Sequence, residues 1–181
     1  MAFPILHALA GVLALTAGDP EIARATTKPP EGMATASGPC SAPENRQFDF
    51  WLGEWDVTTP DGKLAGANRI TRILSGCALR EEWSGAGGIR GTSLNVFDAG
   101  ARRWRQTWVD EKGNVLFLTG ELKGGKMLLE GEGPSRDGTL QNRISWSKLS
   151  NGRVRQLWES SKDGGKTWKT VFDGTYTPRN R

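Results

Sequence analysis

From residue 48 onwards, apolar and polar side chains alternate in short stretches with a period of two residues. In the stretch 103–108, Trp104, Gln106 and Trp108 share one face, and the other face carries Arg103, Arg105 and Thr107. This alternation is typical of a β-strand that is buried on one side and exposed on the other. The same pattern predicts three further inner faces, namely Leu140, Asn142, Ile144 and Trp146, then Val154, Gln156 and Trp158, then Trp168, Thr170, Phe172 and Tyr176. Since no stretch shows a helical pattern longer than one turn, the sequence predicts an all-β domain.

Turn-forming residues divide this part of the chain at near-regular intervals. Pairs such as Asp61-Gly62, Gly124-Gly125 and Asn151-Gly152 accept the positive φ that tight hairpins require. Counting the segments between turns gives nine or ten strands, and such short connections impose an up-and-down antiparallel order. An open sheet of this size would expose two edges and an apolar face. We therefore predict an antiparallel β-barrel of about ten strands, with a two-sheet sandwich as the alternative.

The N-terminal part of the chain has a different composition. The apolar run from Ile5 to Ala17 is shorter than the ~20 residues of a membrane-spanning helix, and small residues follow it as in a secretory signal peptide. We predict a signal peptide over residues 1–25, cleaved after Ala17 or Ala25, and a flexible tether rich in Pro, Ser and Gly over residues 26–45. Residues 46–181 form the predicted barrel domain. The expected location is periplasmic or secreted, without insertion into the membrane.

Cysteine, histidine and charge restrict the chemistry. Cys40 and Cys77 are predicted to pair in an oxidising compartment, the alternative being two unrelated thiols. The single His, His7, lies in the predicted signal peptide, which leaves no imidazole for a catalytic triad, a haem ligand or most catalytic zinc sites. The acidic residues show no calcium-loop pattern, so we expect neither a metal nor a cofactor. The net charge of +4 is spread along the strands, and we expect no nucleic-acid partner.

The segment Gly53-Glu54-Trp55 resembles a known motif. It matches the G-x-W that opens the first strand in lipocalins and other calycins. This resemblance implies that Gly53 and Trp55 have a structural role, in which Trp55 fills the closed end of the barrel. It also implies a basic residue near the C terminus that stacks on the Trp, for which Arg179 is the candidate.

A longer resemblance joins three blocks, residues 48–57, 76–83 and 104–110. Together they are similar to a family of bacterial exported proteins of unknown function for which a calycin-like barrel is expected. The similarity extends over about residues 48–178. It implies a fold and a compartment, and no activity or site residues. A weaker likeness is to nitrobindin, a haem-binding barrel with a similar G-x-W, but that protein ligates iron through a His that the predicted mature chain lacks.

Residues 161–168, with the sequence SKDGGKTW, match the Asp-box pattern S-x-D-x-G-x-T-W. In this pattern the Asp accepts backbone N–H bonds across a hairpin and the Trp packs beneath it. Asp-boxes recur in the propellers of sialidases, but a single copy in a chain of this length cannot build a propeller. We therefore predict a structural role for Asp163 and Trp168.

The inner faces supply the main candidates for a functional site. Aromatic walls with a few amides and one carboxylate suit a pocket for a flat or amphipathic molecule. A buried amide without a partner costs ~1–3 kcal/mol, so a polar cavity explains these side chains better than a dry core does. The alternative is a packed core in which the amides satisfy one another. The predicted ligand-binding residues are Trp83, Trp104, Gln106, Trp108, Asn142, Trp146, Gln156 and Trp158.

These patterns predict an exported barrel that binds a small apolar or aromatic molecule. The first alternative is a barrel enzyme, an isomerase, cyclase or hydrolase, that uses Glu81 as an acid or base because burial raises the pKa of a carboxyl group. Pairing of Glu81 with Arg69 or with an amide is the simpler interpretation. The second alternative is an envelope interaction module that depends on outward residues such as Arg103, Arg143 and Arg155. The pattern indicates neither the identity of the ligand nor an oligomeric state.

Overall fold

The barrel closes by a pairing between its first and last strands. The computed structural model describes residues 38–135 and 138–179, so the predicted signal peptide and most of the predicted tether lie outside the described residues. The described residues form ten antiparallel strands, each paired with its neighbours in sequence, and β1 pairs with β10. The predicted all-β, up-and-down barrel is confirmed, and the two-sheet sandwich is wrong. The strands are β1 (Gly53–Thr58), β2 (Leu64–Ile73), β3 (Ala78–Gly85), β4 (Arg90–Asp98), β5 (Arg103–Asp110), β6 (Val115–Lys123), β7 (Lys126–Ser135), β8 (Gly138–Lys148), β9 (Val154–Ser161) and β10 (Lys169–Pro178).

Short 3₁₀ turns supply the remaining regular structure. Two of them, Pro43–Arg46 and Asp49–Trp51, precede β1, while Leu74–Gly76 joins β2 to β3 and Ser150–Gly152 joins β8 to β9. Within the described ranges, no helix is long and apolar enough to cross a membrane.

Burial follows the alternation in the sequence over most strands. In β5, Trp104 and Gln106 are buried whereas Arg103 and Arg105 are exposed. The β8 strand alternates in the same way between buried and half-buried residues. The inner faces of these strands therefore point into the barrel, as the period of two predicts.

The pattern fails at the start of β10. The register between β10 and β9 shifts between Thr170 and Phe172, so that Val171 is an extra residue on β10. Such a bulge moves the preceding residues to the other face. Thr170 is exposed, and the prediction that Trp168 and Thr170 share the inner face with Phe172 is wrong.

The segment before β1, residues 40–52, fills one end of the barrel. We call it the closing segment, and we call this end of the barrel the closed end. Phe48 and Trp51 are fully buried there, with ring centroids 4.9 Å apart. Trp104 and Trp146 pack edge-on against Phe48. Trp55 donates its indole N–H to the carbonyl of Trp51 at 3.0 Å. Aromatic side chains of this size bury about 150–250 Å² each, so this cluster supplies a large part of the stabilising burial.

A disulfide ties the closing segment to the barrel. Cys40 and Cys77 are bonded, as predicted, and Cys77 follows the turn between β2 and β3. The Arg46 guanidinium adds hydrogen bonds to the carbonyls of Cys40 and Gly76. A disulfide bond and hydrogen bonds thus both attach this segment to the barrel.

Arg179 differs from what the lipocalin resemblance implies. Trp55 is 4% exposed at the closed end, but the Arg179 guanidinium pairs with Asp56 at 2.6 Å instead of stacking on the Trp. Asp56 is the residue after Trp55, and successive side chains of a strand point to opposite faces. Arg179 therefore lies on the outer surface of the barrel.

Candidate functional site

A cavity of about 230 Å³ lies inside the barrel. Its walls come from two kinds of side chain. We call Glu81, Gln106, Gln156 and Tyr176 the polar layer, and Trp83, Trp108, Trp158 and Phe172 the aromatic layer; Leu116, Ile144 and Val171 complete the lining.

The order of these layers follows from the strands. Side chains two residues apart on a strand share a face and lie about 7 Å apart along it. On β5, Trp104 belongs to the closed end, Gln106 to the polar layer and Trp108 to the aromatic layer. Strands β3 and β9 repeat this order with Leu79, Glu81 and Trp83, and with Val154, Gln156 and Trp158. The aromatic layer is thus the one farthest from the closed end, and its four side chains are only half-buried.

Glycines on neighbouring strands make room for two of the indoles. A Cβ atom at Gly91 on β4 would overlap the tip of the Trp108 ring, and one at Gly66 on β2 would lie 2.8 Å from the Trp83 ring. The two rings therefore lie against the backbone of the wall. This placement keeps the middle of the barrel open.

Glu81 is the buried carboxyl group of the site, with 4% of its surface exposed. One carboxyl oxygen, Oε1, accepts a hydrogen bond from the Asn68 amide at 2.7 Å, and Oε2 accepts one from the Ser93 hydroxyl at 2.6 Å. These donors lie on β2 and β4, the strands that pair with β3 on either side. Burial raises the pKa of Glu81, and the two hydrogen bonds oppose this effect in part. Arg69 lies outside, 3.7 Å from Glu54, so the amide partner is the one observed.

On one side, the hydrogen bonds continue from Glu81 to the polar layer of β5. Ser93 accepts a hydrogen bond from the Asn95 amide at 2.9 Å, and the Asn95 carbonyl accepts one from Gln106 at 2.8 Å. The network uses the N–H end of Gln106. The carbonyl end of this side chain remains available to a ligand.

On the other side, the network runs through a phenol. The Asn68 amide also lies 3.2 Å from the Tyr176 hydroxyl, which donates a short hydrogen bond to the Gln156 carbonyl. Burial, followed by the nearby charge of Glu81, raises the pKa of Tyr176 well above its usual value, so the phenol stays neutral. The N–H end of Gln156 remains available to a ligand.

The structure brings together five of the eight predicted ligand-binding residues. Trp83, Gln106, Trp108, Gln156 and Trp158 line the cavity, and so does Glu81, the candidate acid or base.

The other three predicted residues lie elsewhere. Trp104 and Trp146 are inward residues of the closed end, where they pack against Phe48. Asn142 borders a second pocket, of about 270 Å³, which residues of β7 and β8 line together with Trp168, and it accepts a hydrogen bond from the Trp158 indole at 2.9 Å. It therefore orients one wall of the cavity without lining it.

Sequence reasoning missed the residues that support Glu81. Asn68, Ser93 and Asn95 are buried, with 0–2% exposure, and none of them was among the predicted site residues. The alternation in β2 and β4 could have identified them. It did not, because small polar residues on the inner face make the two faces of these strands similar in polarity. Tyr176 was placed on the inner face correctly, although its link to Gln156 was not foreseen.

The Asp-box forms a separate structure at the hairpin between β9 and β10. Asp163 accepts hydrogen bonds from the Thr167 hydroxyl at 2.6 Å and the Thr167 backbone N–H at 2.9 Å. Hydrogen bonds from Thr167, together with one from Ser161, lower the pKa of Asp163 to about 2. Trp168 donates to the Gly165 carbonyl, and its ring lies 4.0 Å from the Arg143 guanidinium. This hairpin does not border the cavity.

Two of the outward arginines named as interaction candidates are already paired. Arg143 contacts Glu159 at 2.8 Å, and Arg155 contacts Asp173 at 2.7 Å. Across residues 38–135 and 138–179, no group of three His, Cys, Asp or Glu side chains is arranged to hold a metal ion.

Comparison of the chain with protein-family models and with curated proteins finds no match. The geometry of the cavity is therefore the basis for a functional assignment.

Proposed function

We propose that this protein is an exported, calycin-like barrel that binds one small aromatic molecule in the cavity between the polar and aromatic layers. The observation that carries the proposal is a cavity of about 230 Å³. Three indoles and a phenyl ring form its aromatic layer, and the polar layer forms the end nearer the closed end of the barrel. A dry apolar cavity of about 150 Å³ holds benzene. The larger volume suits a single ring with a short substituent, or two fused rings.

Incomplete packing supports a binding role over a purely structural one. Small barrels are otherwise filled by side chains, and interiors are packed as densely as organic crystals. Here the closed end is filled by buried aromatic residues, while the aromatic layer is half-buried and leaves space between its rings. A ligand in this space would make the packing contacts that the side chains of the aromatic layer do not make with one another.

Three features support export and the calycin-like assignment. The disulfide between Cys40 and Cys77 is of a kind that persists in oxidising compartments. The N-terminal residues carry the apolar run of a signal peptide. A ten-stranded meander closed by a turn and by Trp55 of the G-x-W is consistent with a calycin-like barrel.

Binding of 2-phenylethanol by calorimetry tests the proposal, since this molecule fits the volume and has one polar group. The informative variant is Trp108→Leu, and the matched control is Trp168→Leu, which removes an indole outside the cavity. We expect Trp108→Leu to weaken binding about tenfold, because a ring contact is lost, and Trp168→Leu to leave it unchanged. Absence of binding to the unmodified protein, or equal effects of the two variants, would contradict the proposal.

One observation supports a second candidate, an enzyme that uses the same cavity. Glu81 faces the cavity with a raised pKa, as a carboxyl group that exchanges protons with a substrate requires. For an isomerase, cyclase or hydrolase, Glu81→Gln should abolish turnover while the affinity for the substrate is largely kept. For a binder without catalysis, no turnover is found for any ligand that the cavity retains.

A further inference from the structure

The cavity contains one carboxyl group, that of Glu81, and no basic side chain of the described residues lies beside it. Among the described residues that line the cavity, Glu81 is the only Asp or Glu, and none is Lys or Arg. Its two hydrogen-bond donors, Asn68 and Ser93, are neutral.

Several carboxylates on the outside of the same barrel form ion pairs with basic side chains. Asp61 lies 2.6 Å from Lys63, Asp56 lies 2.6 Å from Arg179, and Glu111 lies 2.7 Å from Arg90. A buried charge is costly unless it is paired, and burial makes pairing more important for Glu81 than for these exposed groups. The interior carboxylate is therefore the one with most to gain from a cation.

The surroundings of Glu81 also favour a cation. Trp83, Trp108 and Trp158 line the space next to it, and indole faces attract organic cations within about 6 Å. The free carbonyl end of Gln106 adds a neutral acceptor for an ammonium N–H. A carboxylate, a carbonyl oxygen and three indoles together form the kind of site that recognises an amine.

We propose that the ligand is an arylalkylammonium ion, whose positive nitrogen lies beside Glu81 and Gln106 and whose ring lies within the aromatic layer. This inference rests on the proposed function and specifies the class of ligand. No covalent step is involved, because the cation is held by charge, hydrogen bonds and ring contacts.

Three probes of nearly equal shape test the inference on the unmodified protein. They are 2-phenylethylamine, which is a cation at neutral pH, 2-phenylethanol, which is neutral, and phenylacetate, which is an anion. In calorimetric titrations at pH 7, we expect the amine to bind at least about tenfold more tightly than the alcohol, because hydrogen bonds between charged groups contribute more than neutral ones. Phenylacetate should show no binding, because like charges would be buried together.

A matched pair of variants assigns the preference to Glu81. Glu81→Gln keeps the size of the side chain and removes its charge, whereas Glu121→Gln makes the same change of net charge at an exposed position of β6. We expect Glu81→Gln to abolish the preference for the amine, so that the variant binds the amine and the alcohol with about equal affinity. Glu121→Gln should keep the full preference for the amine.

The possible outcomes separate the inference from the function on which it rests. Equal affinities for amine and alcohol, or tighter binding of phenylacetate, would overturn the cation proposal and leave the aromatic-binding function in place. Binding of none of the three probes would overturn both. Since the comparison of probes uses the unmodified protein, a failure of Glu81→Gln to fold does not prevent a decision.

Discussion

At the scale of single residues, the protonation of Glu81 links the site to pH. Tyr176 on β10 is the only other titratable group among the described residues that line the cavity. The groups that reach Glu81 from the neighbouring strands, Asn68 and Ser93, are neutral, as are Gln106 and Gln156 across the cavity. Burial is therefore the largest influence on the pKa of Glu81, and it raises this pKa above 4.5.

We predict that Glu81 makes the protein less stable as the pH rises. Because the folded-state pKa of Glu81 is above the unfolded value, the folded protein binds more protons between the two values. The stabilising contribution is complete below about pH 4.5 and is lost as the pH passes the folded pKa. Melting temperatures of the unmodified protein and of Glu81→Gln should diverge in this range, with the variant becoming relatively more stable at higher pH. Parallel curves would contradict the prediction, and Glu121→Gln serves as the control.

A second prediction at this scale concerns Gly91. In Gly91→Ala, the added methyl group overlaps the tip of the Trp108 indole and should push the ring into the cavity. We expect weaker binding of 2-phenylethanol and a loss of about 1–3 kcal/mol in the free energy of unfolding, as is typical of overpacking. Urea unfolding and calorimetry measure both effects. Gly87→Ala is the control, since a Cβ there meets nothing within 4 Å, and an unchanged affinity in Gly91→Ala would contradict the account.

At the scale of elements, the barrel has a stabilising end and a binding end. The closing segment, with Phe48 and Trp51, packs on Trp104 and Trp146 and contributes no residue to the cavity lining. The disulfide belongs to the closing segment as well. Changes in the closing segment should therefore alter stability more than ligand affinity.

The double variant Cys40→Ser, Cys77→Ser tests this separation. The disulfide joins residues 37 positions apart. A loop of this length corresponds to a stabilisation of about 4 kcal/mol from restriction of the unfolded chain. We expect the free energy of unfolding to fall by about this amount, while the folded variant binds 2-phenylethanol as the unmodified protein does. Loss of binding under conditions in which the variant is still folded would show that the two ends are coupled.

The alternation in the sequence predicted inner and outer faces but not position along the barrel axis. It placed Trp104, Gln106 and Trp108 on one face correctly, because a period of two specifies the face of a strand. Which of them meets the cavity depends on how far the closing segment reaches into the barrel. That depth is set by tertiary packing of Phe48 and Trp51, so Trp104 could not be separated from Trp108 in advance.

The bulge in β10 and the support of Glu81 were unpredictable for a related reason. A bulge is defined by pairing with the partner strand, here between Thr170 and Phe172, and no local pattern marks it. The contacts from Asn68 and Ser93 to Glu81 likewise depend on the register of three strands. The Asp-box hairpin, by contrast, is local, and its eight-residue motif was enough to anticipate how Asp163 is used.

At the scale of the whole molecule, the eight Trp residues divide into three groups. Trp83, Trp108 and Trp158 line the cavity, and Trp168 lies outside the barrel against Arg143. The remaining four belong to the closed end: Trp51, Trp55, Trp104 and Trp146. Each indole N–H is thus a reporter for one region of the molecule.

The most direct test of the central claim is a titration of the isotope-labelled protein with 2-phenylethanol, followed through the indole N–H signals in two-dimensional nuclear magnetic resonance spectra. Occupation of the cavity predicts large, saturable shifts for Trp83, Trp108 and Trp158, and small ones for the closed-end group and Trp168. Absence of saturable shifts, or the largest shifts at Trp168 or in the closed-end group, would contradict the claim that this cavity binds a small aromatic molecule.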